Sequence, residues 1–268
     1  MNRFLKSLGL LAVALLFASQ AGAQVFYTNG NLGTGATSES GVAAPAGFSW
    51  SEVQHNTGNT TEANTTLGFG GTQGSNRLAD DFTVPAGTGW TVTSVNLYSY
   101  QTGVTGPPSP FTAYTLQIWG PCAAGLRPGD VGCTTIAFGD TTTNRMASTT
   151  DSTLLRISNS TVPPPGTAPG TTRRIYRNNV TVGTLLAPGI YWLDWASTVT
   201  GAGAHFDPPS TIPGSRGGGN GRQFTVAAGT WADALDSGNP TTAPDVIQDF
   251  PFEILGTSPV ELLKFSID

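Results

Sequence analysis

Lysine is almost absent from this chain, and charged residues of every kind are scarce. The 268 residues include two lysines, Lys6 and Lys264, and 11% of the residues are charged. Because lysine and glutamate are strong helix formers, their scarcity argues against surface helices. Thr, Gly, Ser, Asn and Pro fill the chain instead, as they do in proteins built from strands joined by turns. The composition therefore predicts an all-β protein.

Positively charged residues are also few and are outnumbered by acidic ones. The formal net charge is −5 at pH 7, and no run of Lys or Arg marks a basic face. Nucleic-acid binding needs such a face, because contacts with phosphates supply most of the affinity. We therefore expect no nucleic-acid partner.

Long apolar runs are also missing. Arg3 and Lys6 precede a short apolar run over residues 8–17, and the small residues 21–23 follow it. This order is typical of a secretory signal peptide, with cleavage near Ala23. Because a membrane span needs roughly 20 apolar residues, we expect no transmembrane segment in the mature chain. The sequence predicts a signal peptide over 1–23 and a mature protein that is extracellular or periplasmic.

Cysteine occurs twice, at Cys122 and Cys133, with glycine and proline between the two positions. In an oxidising compartment this spacing predicts a disulfide that closes one loop and contributes roughly 3 kcal/mol to stability. A metal site on these thiols is not expected, because two ligands are too few for structural zinc.

Short apolar stretches bounded by Gly, Pro and Asn indicate strands, and no stretch keeps a helical period over three turns. The sequence predicts one antiparallel β-sandwich of jelly-roll type over residues 24–256, with long Gly/Pro/Thr-rich loops. Residues 24–76 are expected to be loop-rich, and residues 257–268 form a C-terminal tail. About nine or ten strands are predicted, at 25–27, 81–84, 90–100, 114–119, 134–138, 154–157, 174–182, 190–195, 223–227 and 250–255.

Motifs of catalysis are missing as well. The chain has no nucleophile elbow, zinc-protease helix, C-x-x-C pair or phosphate-binding loop. His55 and His205 are predicted to be loop side chains with local partners. We therefore expect a non-catalytic protein, with a glycoside hydrolase or lyase on a sandwich scaffold as the alternative. That alternative needs two carboxylates to converge, and the candidates are Asp80, Asp81, Asp140, Asp194, Asp233, Asp236 and Asp249.

Asp80 and Asp81 stand just before a predicted strand. Calcium takes six to eight oxygen ligands, including backbone carbonyls from loops. The pair is therefore interpreted as a turn cap or as ligands of a structural calcium ion, which is the one candidate cofactor.

Aromatic side chains beside polar ones are the clearest functional signal. Within 190–195, the two-residue period of a strand places Trp192 and Asp194 on one face, opposite three apolar side chains. Tyr98 and Tyr100 likewise share a face. An exposed ring beside polar groups can stack on the apolar side of a sugar. We therefore take these four residues as candidates for carbohydrate binding, with burial inside a thick sandwich as the alternative.

Several segments together resemble a group of bacterial secreted jelly-roll proteins that often carry a surface-sorting signal of the PEP-CTERM or Bacteroidetes type. The segments are RLADDFTVP at 77–85, WTVTSV at 90–95, FGDTTTNR at 138–145 and LAPGIYWLDW at 186–195. The resemblance covers roughly residues 25–256 and implies an extracellular β-sandwich, without catalytic residues to carry over. The tail over 258–268 is similar to the segment that closes such proteins or precedes their sorting signal.

These patterns predict a secreted or cell-surface module for binding or adhesion. Its expected partner is an extracellular glycan or another cell-surface component. A structural component of the envelope or matrix is the alternative.

Overall fold

All the regular secondary structure is β-strand in the computed structural model, which describes residues 23–53, 62–157, 165–201, 203–211 and 216–257. The predicted signal peptide up to residue 22, His55 and the tail from residue 258 lie outside the described residues. The strands are β1 (Gln24–Asn29), β2 (Ser49–Glu52), β3 (Asn76–Val84), β4 (Trp90–Gln101), β5 (Phe111–Cys122), β6 (Ile136–Asp140), β7 (Met146–Ile157), β8 (Arg174–Leu186), β9 (Gly189–Val199), β10 (His205–Phe206), β11 (Arg222–Thr225), β12 (Thr230–Asp233), β13 (Leu235–Asp236), β14 (Val246–Ile247) and β15 (Phe252–Thr257).

Two large sheets organise these strands. The seven-stranded sheet has the order β1-β15-β4-β8-β7-β2, with β10 added beside β4. The six-stranded sheet has the order β12-β11-β3-β9-β5-β6, and β13 pairs with β14 separately. The strand pairs are antiparallel except for β2, which runs parallel to β7. No helix in the described ranges is long and apolar enough to cross a membrane.

The core lies between the two large sheets and follows the two-residue period. On β9, Tyr191, Leu193 and Trp195 point into it, and on β4 Val95 and Leu97 meet them from the other sheet. Each of these side chains is at most 2% exposed. Fully burying one large apolar side chain contributes about 1.5–3 kcal/mol, so this interior supplies the main driving force for folding.

The N-terminal part contains more strand than the sequence indicates. β1 pairs with β15 at one edge of the seven-stranded sheet, and β2 pairs with β7 at the other edge. Trp50 on β2 is 1% exposed and forms a small cluster with Leu155 and Ile157. The chain between these strands lies over the end of the sheet, which places Leu32 against Tyr100.

The predicted disulfide is confirmed, because Cys122 and Cys133 are joined. It closes a loop that leaves the end of β5 and returns before β6. The prediction of an all-β sandwich is also confirmed, whereas the jelly-roll connectivity stays a prediction. The structure has fifteen strands in its described part, several of them two residues long, against the nine or ten predicted.

Candidate functional site

The face that carries Trp192 is closed to solvent. Trp192 is 2% exposed and packs against Cys122 and Cys133. Its indole Nε1 donates to the backbone oxygen of Leu126 at 3.0 Å, inside the disulfide loop. The prediction of Trp192 as an exposed sugar-stacking ring is therefore wrong, because the loop folds back over β9 and uses both the ring and its N–H.

Asp194, on the same face, is sealed in the same way. Its side chain has 0% exposure and accepts three hydrogen bonds: from Arg77 Nε at 2.9 Å, from Gln117 Nε2 at 2.6 Å and from Trp119 Nε1 at 3.1 Å. Burial raises the pKa of this carboxyl, and the charge of Arg77 opposes that rise. The donors come from β3 and β5, so Asp194 joins three strands. Asp194 is therefore not the exposed carboxylate that the prediction places beside a sugar-stacking ring.

The partly exposed aromatic rings on this sheet also have a structural partner. The Arg77 guanidinium lies 4.1 Å from the ring centroid of Phe224 and 5.6 Å from that of Trp231. Such cation–π contacts contribute about 0.5–2 kcal/mol each. They fasten the β11–β12 hairpin to β3.

The two candidate tyrosines of β4 have different surroundings. Tyr100 is 1% exposed under Leu32 and beside Ile175, and burial raises its pKa to about 12. Tyr100 is therefore not the exposed ring that the prediction requires, because Leu32, in the chain after β1, packs on it. Tyr98 packs against the rim of the same cluster and remains half-buried, with part of its surface facing solvent.

Tyr98 belongs to a polar surface on the outside of the seven-stranded sheet. We call this surface the amide face and define it by Asn96, Tyr98, Arg177, Asn179 and Glu253. Strand register sets its layout. Asn96 on β4 lies opposite Glu253 on β15 and Asn179 on β8, and Tyr98 lies opposite Arg177 in the next row.

Hydrogen bonds connect the first row across three strands. Asn96 Nδ2 donates to Glu253 Oε2 at 2.7 Å, and Asn179 Nδ2 donates to Asn96 Oδ1 at 2.9 Å and to Ser94 Oγ at 3.1 Å. The pKa of the Tyr98 hydroxyl is raised, first by burial and then by the charge of Glu253. The hydrogen bonds therefore hold Asn96, Asn179 and Glu253 in position before any ligand arrives.

Two cavities adjoin on the amide face. The tyrosine cavity, of about 240 Å³, is bounded by residues 28–33, Tyr98, Leu154 and Glu253. The arginine cavity, of about 210 Å³, lies beside it. Its lining consists of Asn96, Ser148, Thr150, Arg177, Asn179 and Leu255.

Asp80 and Asp81 do not form the predicted joint calcium site. They lie inside β3 rather than before it, so the pleat turns them to opposite sides of the sheet. Both oxygens of Asp80 accept N–H groups: from Asn29 Nδ2 at 2.9 Å, from the Phe250 backbone at 2.6 Å and from the Asp81 backbone at 2.8 Å. In the described ranges no group of three or more His, Cys, Asp or Glu side chains could hold a metal ion.

Of the seven carboxylates considered for hydrolysis, Asp80 and Asp249 lie near each other and near Asp81, whose charge adds to burial in raising the pKa of both. Asp80 is 0% exposed, and its pKa is raised first by burial and then by Asp249. The Asp80 carboxylate beside Asp249 is closed to solvent and already accepts three N–H groups, so the hydrolase alternative is not favoured.

The remaining four carboxylates lie apart from one another, and each pairs with a different arginine. The ion pairs are Arg77–Asp194, Arg127–Asp233, Arg145–Asp140 and Arg216–Asp236. The four arginine-paired aspartates therefore have structural roles.

A chain of buried hydrogen bonds crosses the core, which the sequence did not lead us to expect. Asp207 accepts Trp195 Nε1 at 2.6 Å and the Ser99 hydroxyl. The hydroxyls of Ser99 and Tyr114 are hydrogen-bonded at 2.6 Å, and Asn178 Nδ2 donates to Tyr114 at 2.9 Å. The chain links both sheets. Burial raises the pKa of Asp207 to about 7.

His205 is not the loop residue that the sequence predicts. It lies on β10, is 3% exposed and meets the edge of the Phe111 ring at a centroid distance of 5.8 Å. Its Nε2 is buried without a hydrogen-bond partner, and burial lowers its pKa. The ring borders a cleft of about 320 Å³, but Nε2 is closed to solvent there.

Comparison with known proteins adds no relative: no protein-family model, no curated protein and no solved structure matches the chain.

Proposed function

We propose that this chain is a non-catalytic carbohydrate-binding module that acts outside the cytoplasm and binds its ligand on the amide face. One observation carries the proposal: a half-buried tyrosine ring borders a cavity beside a row of side-chain amides and a carboxylate whose positions are fixed by hydrogen bonds. A sugar offers an apolar ring face and several hydroxyls, and the amide face offers a partner for both.

The bonding of Asn179 favours a ligand that donates hydrogen bonds. Its Nδ2 has two hydrogens, and Asn96 and Ser94 accept them. The Oδ1 atom of Asn179 is therefore left to accept a sugar hydroxyl, as is the remaining capacity of the Glu253 carboxylate. Because these groups are already ordered, binding costs little side-chain entropy.

Export is part of the proposal. A disulfide between Cys122 and Cys133 is typical of proteins that fold in an oxidising compartment. The apolar run over residues 8–17 and the resemblance to secreted jelly-roll proteins point in the same direction.

A purely structural role is the weaker reading of the amide face. A surface that only covers a sheet needs neither cavities nor an aromatic wall. Here Tyr98 lines one cavity, and Asn96, on the same strand, lines a second. The structural alternative would be favoured by a flat face of threonine and asparagine alone.

Glycan-array screening of the full chain, followed by calorimetry on the best ligand, tests the proposal. We expect Tyr98→Ala to weaken binding at least tenfold, or about 1.4 kcal/mol, because the ring wall is lost. Tyr98→Phe keeps the ring and should retain most of the affinity. Thermal unfolding of each variant separates lost binding from lost folding.

Trp119→Phe is the control on the other sheet. Like Tyr98→Phe, it keeps an aromatic ring and removes a polar group, here the N–H that donates to Asp194. It should bind like wild type. The proposal fails if wild type binds no glycan, or if a folded Tyr98→Ala variant binds as tightly as wild type. A loss in Trp119→Phe alone would place the site on the six-stranded sheet.

A further inference from the structure

Arg177 differs from most arginines of the molecule. It is exposed on the amide face, and no carboxylate of the described residues forms an ion pair with it. Six arginines in the same part of the chain do have such a partner. They are Arg77, Arg127, Arg145, Arg174, Arg216 and Arg222.

The arginine cavity suits an anionic group. Arg177 is the one charged residue in its lining, and the other polar members are the neutral side chains of Asn96, Asn179, Ser148 and Thr150. A guanidinium offers N–H donors in a planar fork that matches a carboxylate or a sulfate. Ser148 is exposed beside it, and its hydroxyl can donate as well, whereas the Thr150 hydroxyl donates to the Arg177 backbone oxygen at 3.5 Å.

The tyrosine cavity lies next to this group in strand register. Tyr98 and Arg177 are directly opposite each other on β4 and β8. Asn96 lines the arginine cavity and lies two residues from Tyr98 on the same strand, a step of about 7 Å. A polymer whose one sugar packs on Tyr98 therefore brings a neighbouring sugar within reach of Arg177.

We propose that the amide face takes an acidic polysaccharide, whose carboxylate or sulfate Arg177 holds beside the sugar that packs on Tyr98. This inference rests on the proposed carbohydrate-binding function and names the class of its ligand. The net charge of −5 does not oppose it strongly, because exposed charges more than about 8 Å apart are largely screened at physiological salt.

Calorimetry of the full chain with three polymers tests the inference: polygalacturonate, dextran sulfate and unsubstituted dextran. Wild type should bind an acidic polymer at least tenfold more tightly than dextran. Arg177→Gln should lose at least tenfold in affinity for the acidic polymer and leave any dextran binding within twofold. Preference for polygalacturonate or for dextran sulfate tells whether the group is a carboxylate or a sulfate.

Arg127→Gln is the matched control, because it removes the same charge from the loop over the other sheet. It should leave binding of all three polymers within twofold of wild type. Arg177→Lys keeps the charge without the planar fork and should recover only part of the loss.

The inference is overturned if Arg177→Gln binds the acidic polymer like wild type, or if Arg127→Gln loses as much, since the effect would then be general charge. In either case the carbohydrate-binding function still stands if wild type binds the polymer and Tyr98→Ala abolishes that binding. Failure of wild type to bind any glycan overturns both.

Discussion

Replacing Asp207 with asparagine should change how stability depends on pH. Asp207 is 2% exposed and accepts hydrogen bonds from Ser99 and Trp195 between the two sheets. Burial raises its pKa from 3.8 to about 7, and the hydrogen bonds from Ser99 and Trp195 reduce the rise. Asparagine fills the same space and carries no charge at any pH.

The sign follows from proton binding. Between pH 4 and pH 7 the native state keeps the proton on Asp207 while the unfolded chain has released it, so stability falls as pH rises. The contribution is fully present below about pH 4 and is lost by about pH 7. Each pKa unit corresponds to about 1.4 kcal/mol, so the total loss is on the order of 4 kcal/mol.

Urea unfolding of wild type and Asp207→Asn at a series of pH values from 4 to 8 measures this effect. The difference in unfolding free energy between the two proteins should shift by about 4 kcal/mol across the range, in favour of the variant at high pH. Asp245→Asn, at an exposed position, should follow wild type. Parallel curves for wild type and Asp207→Asn would refute the reasoning.

Three further predictions concern the six-stranded sheet. Replacing Cys122 and Cys133 together with serine should lower the unfolding free energy by about 3 kcal/mol and increase quenching of tryptophan fluorescence as the loop opens; unchanged stability would contradict this. Trp192→Ala should cost about 3–5 kcal/mol in chemical denaturation, since it empties a buried site; a cost below 1 kcal/mol would show that the ring is not packed as described. Arg77→Leu should cost about 3–5 kcal/mol near neutral pH, because it leaves the buried Asp194 carboxylate without its cation. Adding Asp194→Asn should restore part of that loss, and no restoration would contradict the pairing.

Alternation of apolar residues was sufficient to predict the sandwich and most of its long strands. It placed Tyr191, Leu193 and Trp195 correctly in the core. It missed the first half of β7, where serine and threonine dominate, because the pattern is apolar only at its end. That segment is a strand because it pairs with β8. Local composition does not show pairing between distant parts of the chain.

Exposure was the part of the candidate site that the sequence could not supply. The two-residue period of the strands identifies which side chains point away from the core. It does not reveal that a disulfide loop covers Trp192 or that residue 32 covers Tyr100. Covering segments come from elsewhere in the chain, so Tyr98 alone keeps an accessible ring among the four candidates. The sequence holds one signal for the buried hydrogen bonds around Asp207. The polar residue Ser99 continues the inward-facing positions of Val95 and Leu97 on the same strand.

The side-chain amides of the two sheets allow the most direct test of the amide face. Their NMR signals can be followed while the polysaccharide is added to the full chain, with Gln117 and Gln223 on the six-stranded sheet as internal references. We predict that the signals of Asn96 and Asn179 shift in a saturable manner and that the two glutamine signals stay in place. Saturable shifts of Gln117 or Gln223, with Asn96 and Asn179 unchanged, would contradict the location of the binding site.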